Sequence, residues 1–543
     1  MANRLAIFLV CTVALLVGPA ATAQADSATQ LPFTGGAWLA VDPGGQHVFV
    51  SGGPGTSSIV VLSYAGKIVD TITGQQGASQ MALNPATHTL YVALHDATAI
   101  SEISTVTLTE THRFTTSPYA SPSSLVIAGG KLWFSCMDGI SGCVASSNLD
   151  GTNIVKQNLG AAVDTTTALA AGGSNGSLLA VGDSYAEPPT VSVYNVTGPA
   201  PSQVSSVNNP DGGSAQVRDM AFTPTGANLL LACGAPYFVE SLTTTTLQSS
   251  AEYPTGPYPI SVAVTSSGKF VAGGINTNSG PDVFVYPAGS TTPVRTFQVG
   301  NDDLTGIDHS LAFSPDASHL FAVAHDASTG HLAFHVLDQP TVPLKPSSTS
   351  ATGSVKSVRY GGHASVKVHV SGPTTGKVDL YATTSAQAKQ LVASATATSG
   401  AATFTVTPKE NTTYVAQLEQ GSGYATSASA GVRINVAPLV SISTRAAGKG
   451  RLHGHRVSKT LFTAKVKPAR PNEPLGFVVQ RRIRRRWITV GTGRFPIETT
   501  GTVNAFFLTN RVGKCRVQVS YSGDADYVKS KSAWKKFRTP SVR

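Results

Sequence analysis

Charge is scarce in this chain: only 13% of its 543 residues are Asp, Glu, Lys or Arg, and helix-forming runs are few. Set against abundant Gly, Ser and Thr, that shortage argues against a helical protein and favours an all-β one. Catalytic signatures are missing as well. There is no G-x-S-x-G elbow, no H-E-x-x-H, no Gly-Lys-Ser/Thr phosphate loop and no zinc-type double Cys pair. The expectation is therefore a non-enzymatic protein with no cofactor and no metal. Long apolar runs are limited to one, the thirteen residues 5–17, too short to span a bilayer. Arg4 precedes it and a small-x-small site follows at Ala21-Thr22-Ala23 or Ala23-Gln24-Ala25, so residues 1–25 read as a signal peptide. Export to the outside of the cell, with no membrane span and with the cell surface as one destination, is the corresponding expectation.

Five cysteines are present, of which Cys11 lies in the apolar run. In an exported protein Cys136 and Cys143, at the ends of CMDGISGC, are natural disulfide partners. Cys233 sits in the apolar run LLLAC and reads as a small buried hydrophobe. Cys515 lies in another part of the chain, and the sequence leaves the pairing state of these two open.

What charge there is falls unevenly. Residues 26–340 hold 7 Lys+Arg against 22 Asp+Glu, residues 341–437 hold 8 against 3, and residues 438–543 hold 23 against 4. The overall +10 thus hides an acidic body and a basic tail. A chain of this length also divides into several domains rather than burying one core.

The body is repetitive. LAFSPDASHLFAVAHD, residues 311–326, reads as a half-buried strand, a turn and a second apolar strand. Copies such as LAVDPGGQHVFV (39–50), MALNPATHTLYVA (81–93) and MAFTPTGANLLLAC (220–233) recur. Aligned on Ala40, Ala82, Val126, Ala170, Ala221, Ala263 and Ala312, seven units follow at spacings of 42, 44, 44, 51, 42 and 49 residues. One four-stranded propeller blade takes about 40–50 residues. In the second unit the four strands are expected at 80–83, 89–94, 99–104 and 109–115; in the first the outer pair falls at 59–63 and 67–73, and in the sixth at 282–286 and 294–299. The seventh runs out into the linker Gln339-Pro340-Thr341-Val342-Pro343 after its third strand. Residues 29–33 are therefore expected to supply its fourth strand and close the ring.

The cadence of NPATHTLYVA and SPDASHLFAVA resembles the bacterial seven-bladed propellers of the YVTN and surface-layer type. After the linker, alternating segments such as SVKVHV (365–370) and TYVAQLE (413–419), then KTLFTAKVKP, LGFVVQRR and CRVQVSYSGDADYVKSKS, resemble the Ig-like repeats of secreted actinobacterial proteins. The phrase Tyr521-Ser522-Gly523-Asp524-Ala525-Asp526-Tyr527 carries much of that likeness. The resemblance implies a seven-bladed propeller over 26–340, an Ig-like domain over 341–437 and a basic Ig-like domain over 438–543. It also implies that the tail modules act as spacers or adhesion units. Other seven-bladed propellers are lactonases or metal- or quinone-dependent enzymes, or parts of surface lattices, and those remain the alternatives.

Two groups of residues stand out. In a propeller the loops on one face would gather His95, Asp96, Asp183, Tyr258, Asp302, Asp303, Asp308, His309, His325 and Asp326 on a rim. Carboxylates and imidazoles can hold a cation or polar ligand there, or simply be solvated turn residues. In the tail, Arg481, Arg482, Arg484, Arg485, Arg486 and Trp487 fall at a hairpin turn, where guanidiniums bind polyanions bidentately. An anionic cell-wall polymer, or another surface glycan or protein, is the expected partner rather than a specific nucleic acid. A solvated basic face, or docking of the tail on the acidic body, is the alternative.

Overall fold

The computed structural model describes residues 27–36, 38–159, 167–183, 188–210, 216–276, 281–299, 309–326, 329–419 and 423–542. The expected signal peptide and Cys11 lie outside them. Apart from two single 3-10 turns, His95–Ala97 and Ser174–Gly176, the regular elements are strands. Among the described residues no helix is long and apolar enough to cross a membrane. The chain divides into two compact units, residues 1–344 and 345–543.

The first unit holds seven four-stranded antiparallel sheets among its described residues. Burial follows the sequence pattern strand by strand. Thr89–Leu94 (TLYVAL) and Ser58–Ser63 (SIVVLS) have continuous apolar centres and are buried on both faces, whereas the outermost Ile68–Thr73 (IVDTIT) is mostly exposed. A run buried on both faces needs a neighbouring sheet on each side. The innermost strands supply that order: Trp38–Asp42, Ala78–Asn84, Leu125–Ala128, Ala168–Gly172, Asp219–Phe222, Pro259–Val264 and Leu311–Phe313 touch in sequence, and the last touches the first.

Six of these sheets use consecutive strands; the seventh does not. Its fourth strand is Ser27–Gln30, antiparallel to His331–Asp338 with Thr29 opposite Phe334. Leu31 N–H then donates to Leu332 O (2.7 Å) and Leu332 N–H to Phe33 O (2.8 Å). The pairing thus starts two residues before the expected 29–33. Leu31 and Phe33 are buried with Phe321, Phe334 and Val50. Elsewhere, the outer strand expected at 294–299 shortens to Arg295–Phe297, because Val299 N–H leaves the ladder for the Asp282 carboxylate at 3.0 Å.

Cys136 and Cys143 face each other across the hairpin of Lys131–Asp138 and Ser141–Asn148, at disulfide distance with Cα atoms 4.9 Å apart. Cys233 and Cys515 are buried thiols outside this disulfide. Alkylation of the denatured chain spanning 26–543 should therefore label only Cys233 and Cys515 before reduction, and Cys136 and Cys143 as well after it. Mass spectrometry of the labelled peptides reads this directly.

In the second unit alternation takes over. Ala364–Ser371 turns Val366, Val368 and Val370 inward and Lys367 and His369 outward. Beyond residue 438, a sheet of Leu439–Leu452, His455–Lys467 and Thr502–Thr509 faces a second one built on Pro474–Ile483, Arg486–Pro496, Gly513–Tyr521 and Lys535–Thr539. Between them lie Phe462, Phe477, Val479, Val517, Val519 and Tyr521. The phrase 521–527 forms the joint with the preceding strands. Asp524 Oδ1 accepts from the N–H groups of Asp526 (2.9 Å) and Tyr527 (2.7 Å), and Oδ2 accepts from Tyr521 Oη (2.5 Å) and from Arg470. Asn411 reaches across: its N–H donates to Asp526 O (2.7 Å) and its Nδ2 to Ala525 O (3.0 Å).

Burial alone would raise the Asp524 pKa, but the bonds from Tyr521, Tyr527 N–H and Arg470 hold it below the usual carboxylate value. A depressed pKa stabilises the fold above the unfolded-state value, and that stabilisation is lost as pH falls through the folded-state value. Asp524→Asn should therefore destabilise the second unit by roughly 2–3 kcal/mol at neutral pH. The gap from wild type should close below about pH 4, which thermal unfolding over a pH series measures.

Candidate functional site

The expected rim residues have separate duties. His95 and Asp96 begin the 3-10 turn between Thr89–Leu94 and Ala99–Ser104. His95 Nδ1 lies 2.8 Å from Asp96 Oδ1, while Oδ2 accepts from Gly55 N–H (2.8 Å) in the neighbouring sheet's loop. Those two bonds, His95 first, hold the Asp96 carboxyl below its usual range. Gly77 must be Gly for this clasp: its φ is +68° and a Cβ there would lie 2.5 Å from Asp96 N. Asp326 instead serves its own hairpin, accepting Thr329 Oγ1 at 2.7 Å while its carbonyl accepts Gly330 N–H at 2.9 Å; His325 precedes it at the strand end. The repeated His-Asp pair thus performs two different structural tasks.

Asp183 is buried just after Leu178–Gly182. Tyr258 is half exposed, in a left-handed conformation (φ 59°), and meets exposed Tyr237 edge to face at 5.8 Å. His309 pairs with Asp219. Asp302, Asp303 and Asp308 lie outside the described residues. Among the described residues, no three or more His, Cys, Asp or Glu side chains are grouped so as to hold a metal ion.

Asp219 was not legible as a special residue. Its carboxylate is 2% exposed; Oδ1 faces His309 and accepts Met220 N–H (2.7 Å), and Oδ2 accepts Ser261 Oγ (3.1 Å) and Val262 N–H (2.9 Å) from the next sheet. Gln80 does the same for its neighbour, Oε1 accepting Leu125 N–H at 3.1 Å, and Ser124 Oγ donates to Thr167 O at 2.7 Å. Gln80, Ser124, Asp219, Ser261 and Ser310 all stand two residues before the repeat's aligned apolar residue. A recurrent polar position in an apolar strand was the available signal, and at Gln80, Ser124, Asp219 and Ser261 it marks stitching between innermost strands.

The tail hairpin is better built for binding. Pro474–Ile483 and Arg486–Pro496 pair with Arg482 opposite Trp487 and Ile483 opposite Arg486, leaving a two-residue turn, Arg484-Arg485. Both turn residues have positive φ, 46° and 69°. Such turns favour Asn-Gly, since a left-handed non-glycine residue costs roughly 1–2 kcal/mol. Arg482, Arg484, Arg485 and Arg486 are exposed, and among the described residues no hydrogen bond or ion pair engages any guanidinium from Arg481 to Arg486. The four acids of residues 438–543, Glu473, Glu498, Asp524 and Asp526, flank the opposite strand ends. Behind the turn, Arg516 lies over Trp487 at 4.5 Å and over Trp534 at 4.2 Å, and its Nε and Nη2 donate to Gln480 Oε1 at 2.9 and 2.7 Å. This ladder fixes the Trp487 ring beside the arginines. The paired strand between them adds Lys514, and Lys536 and Arg538 follow on the next.

No protein-family model matches the chain, and no curated protein matches it. Solved structures do resemble it. The β-propeller domain of Cps50 (Swd1) from Myceliophteria thermophila is 11% identical, with a TM-score of 0.44 over 57% of this chain and 98% of that one. Hydrazine synthase of Kuenenia stuttgartiensis is 14% identical, with a TM-score of 0.45 over 57% and 97%. The dihydro-heme d1 dehydrogenase NirN, in complex with DHE, is 8% identical, with a TM-score of 0.40 over 56% and 65%. At these values the likenesses assign neither ligand nor activity to this chain.

Proposed function

We propose that the chain is an exported binding or adhesion protein: a seven-bladed propeller of the YVTN and surface-layer kind, followed by two Ig-like sandwiches. Its last module holds the protein to an anionic cell-wall polymer, and no chemistry is performed. One observation carries the reading. Five arginines with no anionic partner among the described residues crown a hairpin whose turn is conformationally unfavourable for arginine, with the module's acids at the far end of the sheet. Strain kept at an exposed charged turn is evidence for a role outside folding. Stacked Trp487 adds a flat apolar face beside the charges, suited to a polymer carrying both sugars and phosphates.

The test is cosedimentation of the full chain with an insoluble phosphodiester-bearing wall polymer and with the same polymer stripped of phosphate. Retention on the first alone, lost at high salt, is expected. Equal retention on both, or none on either, sinks the reading. Preference for duplex DNA over the wall polymer would reassign the partner.

A further inference from the structure

A cavity of about 380 Å³ lies in the first unit, where the first and last four-stranded sheets meet. Gln46, His47, Ser63, Tyr64, His319 and Asp338 line it. We propose that it binds one uncharged sugar ring, independently of the tail.

The cavity follows from the repeat. The second strand of each sheet begins with His47, Thr89, Lys131, Leu178, Asn228, Phe270 or His319, so histidine occupies this position only in the first and last sheets. Cyclic contact of the innermost strands makes those two sheets neighbours. Two imidazoles more than 250 residues apart in sequence therefore face one cleft.

Their states differ. His319 Nδ1 is 2.7 Å from Asp338 Oδ1, where Nδ1–H donates to the carboxylate; in that tautomer of the neutral ring Nε2 is an acceptor. His47 Nδ1 is shut off from solvent with no hydrogen-bond partner among the described residues. A buried polar atom in that condition costs free energy unless something fills its valence. Tyr64 stands between them, its ring 6.2 Å from His319 and packed on Phe321 at 5.1 Å. Burial, then the charges of Asp42 and Asp316, push its pKa up to about 12, so it remains a phenol; its hydroxyl donates to Asp42 O at 3.3 Å and keeps its lone pairs to accept from a ligand.

Charge selects the ligand class. Among the described residues no Lys or Arg lines the cavity, and Asp338 lines it with Asp42 and Asp316 close to Tyr64, which repels anions. Asp42 is itself taken up by Gly44 and Gly45 N–H groups, both at 3.0 Å. No three-ligand metal set exists among the described residues. What remains is an alternation of acceptors and donors (Asp338, His319, His47, Gln46, Ser63, Tyr64) around an aromatic face. Hydroxyls in many directions and an apolar C–H face are the complement of that lining, and the volume lies within the usual range of small-ligand pockets, about 300–1,000 Å³.

The experiment is saturation-transfer NMR on the full chain with the methyl glycosides of glucose, galactose, mannose and N-acetylglucosamine, followed by titration of whichever responds. Transfer to at least one is expected, with affinity reduced at least about tenfold in His47→Ala and in Tyr64→Phe. His47 Nδ1 makes no bond to lose, and Tyr64→Phe keeps the packing and gives up only the long 3.3 Å bond to Asp42 O, so both variants should unfold within about 4 °C of wild type. Arg484→Asn with Arg485→Gly should leave the signal unchanged, which separates this site from the tail. No transfer to any glycoside, transfer indifferent to both cavity variants, or binding of inorganic phosphate or zinc in place of sugar would overturn the proposal.

Discussion

Phe33→Ala is expected to destabilise the first unit by about 3–5 kcal/mol, the usual range for emptying a buried aromatic site. Phe33 is 3% exposed, and its ring fits against Gly52, where an added Cβ would lie 2.5 Å from the ring. It is also the last residue of the segment that hydrogen-bonds to His331–Asp338. Gly52→Ala should therefore reproduce part of the loss from the other side of the same contact. Removal of residues 27–33 is more severe, since it strips Leu31 and Phe33 from the cluster with Phe321 and Phe334 and leaves a bare strand edge. Loss of a cooperative unfolding transition, with oligomers on a sizing column, is the expected outcome. A deletion variant that melts like wild type would show that the pairing contributes little.

Arg484→Asn combined with Arg485→Gly should move stability and binding in opposite directions. Asn-Gly relieves two left-handed arginines, which should stabilise the second unit by about 1–2 kcal/mol. The same change removes two cations, each worth roughly 1 kcal/mol against an anionic surface, so polymer affinity should fall about thirtyfold. A hairpin whose arginines were only a solvated face would gain the stability and lose nothing in binding. Chemical denaturation and polymer titration of one preparation read both quantities.

Much of the architecture was legible because it is local. Alternation and turn residues placed the strands of Thr89–Leu94, Ala99–Ser104 and Thr109–Thr115 at their observed bounds. The missing fourth strand of the last sheet was legible because the repeat ran out before its quota. The tail hairpin was visible as a charge run between two apolar strands, though not the positive φ at Arg484 and Arg485 or the stacking of Trp487 and Trp534 on Arg516. What escaped is non-local. Asp219 meets His309 across 90 residues, and the cavity joins Tyr64 to His319. Neither pairing leaves a mark on neighbouring residues. The rim residues show a related limit of local reading: residues expected on one face bond in different places, Asp96 to Gly55 in the neighbouring sheet's loop and Asp326 to Thr329 within its own turn.

Attachment through the hairpin is tested most directly by the salt dependence of polymer binding. Apparent association constants for the full chain and for Arg484→Asn/Arg485→Gly would be measured on phosphodiester polymer across a series of salt concentrations. Each phosphate contact adds close to one unit to the slope of log affinity against log salt. The variant's slope should be shallower than wild type by about two. Parallel lines of equal slope would contradict the account, since the two arginines would then touch no phosphate.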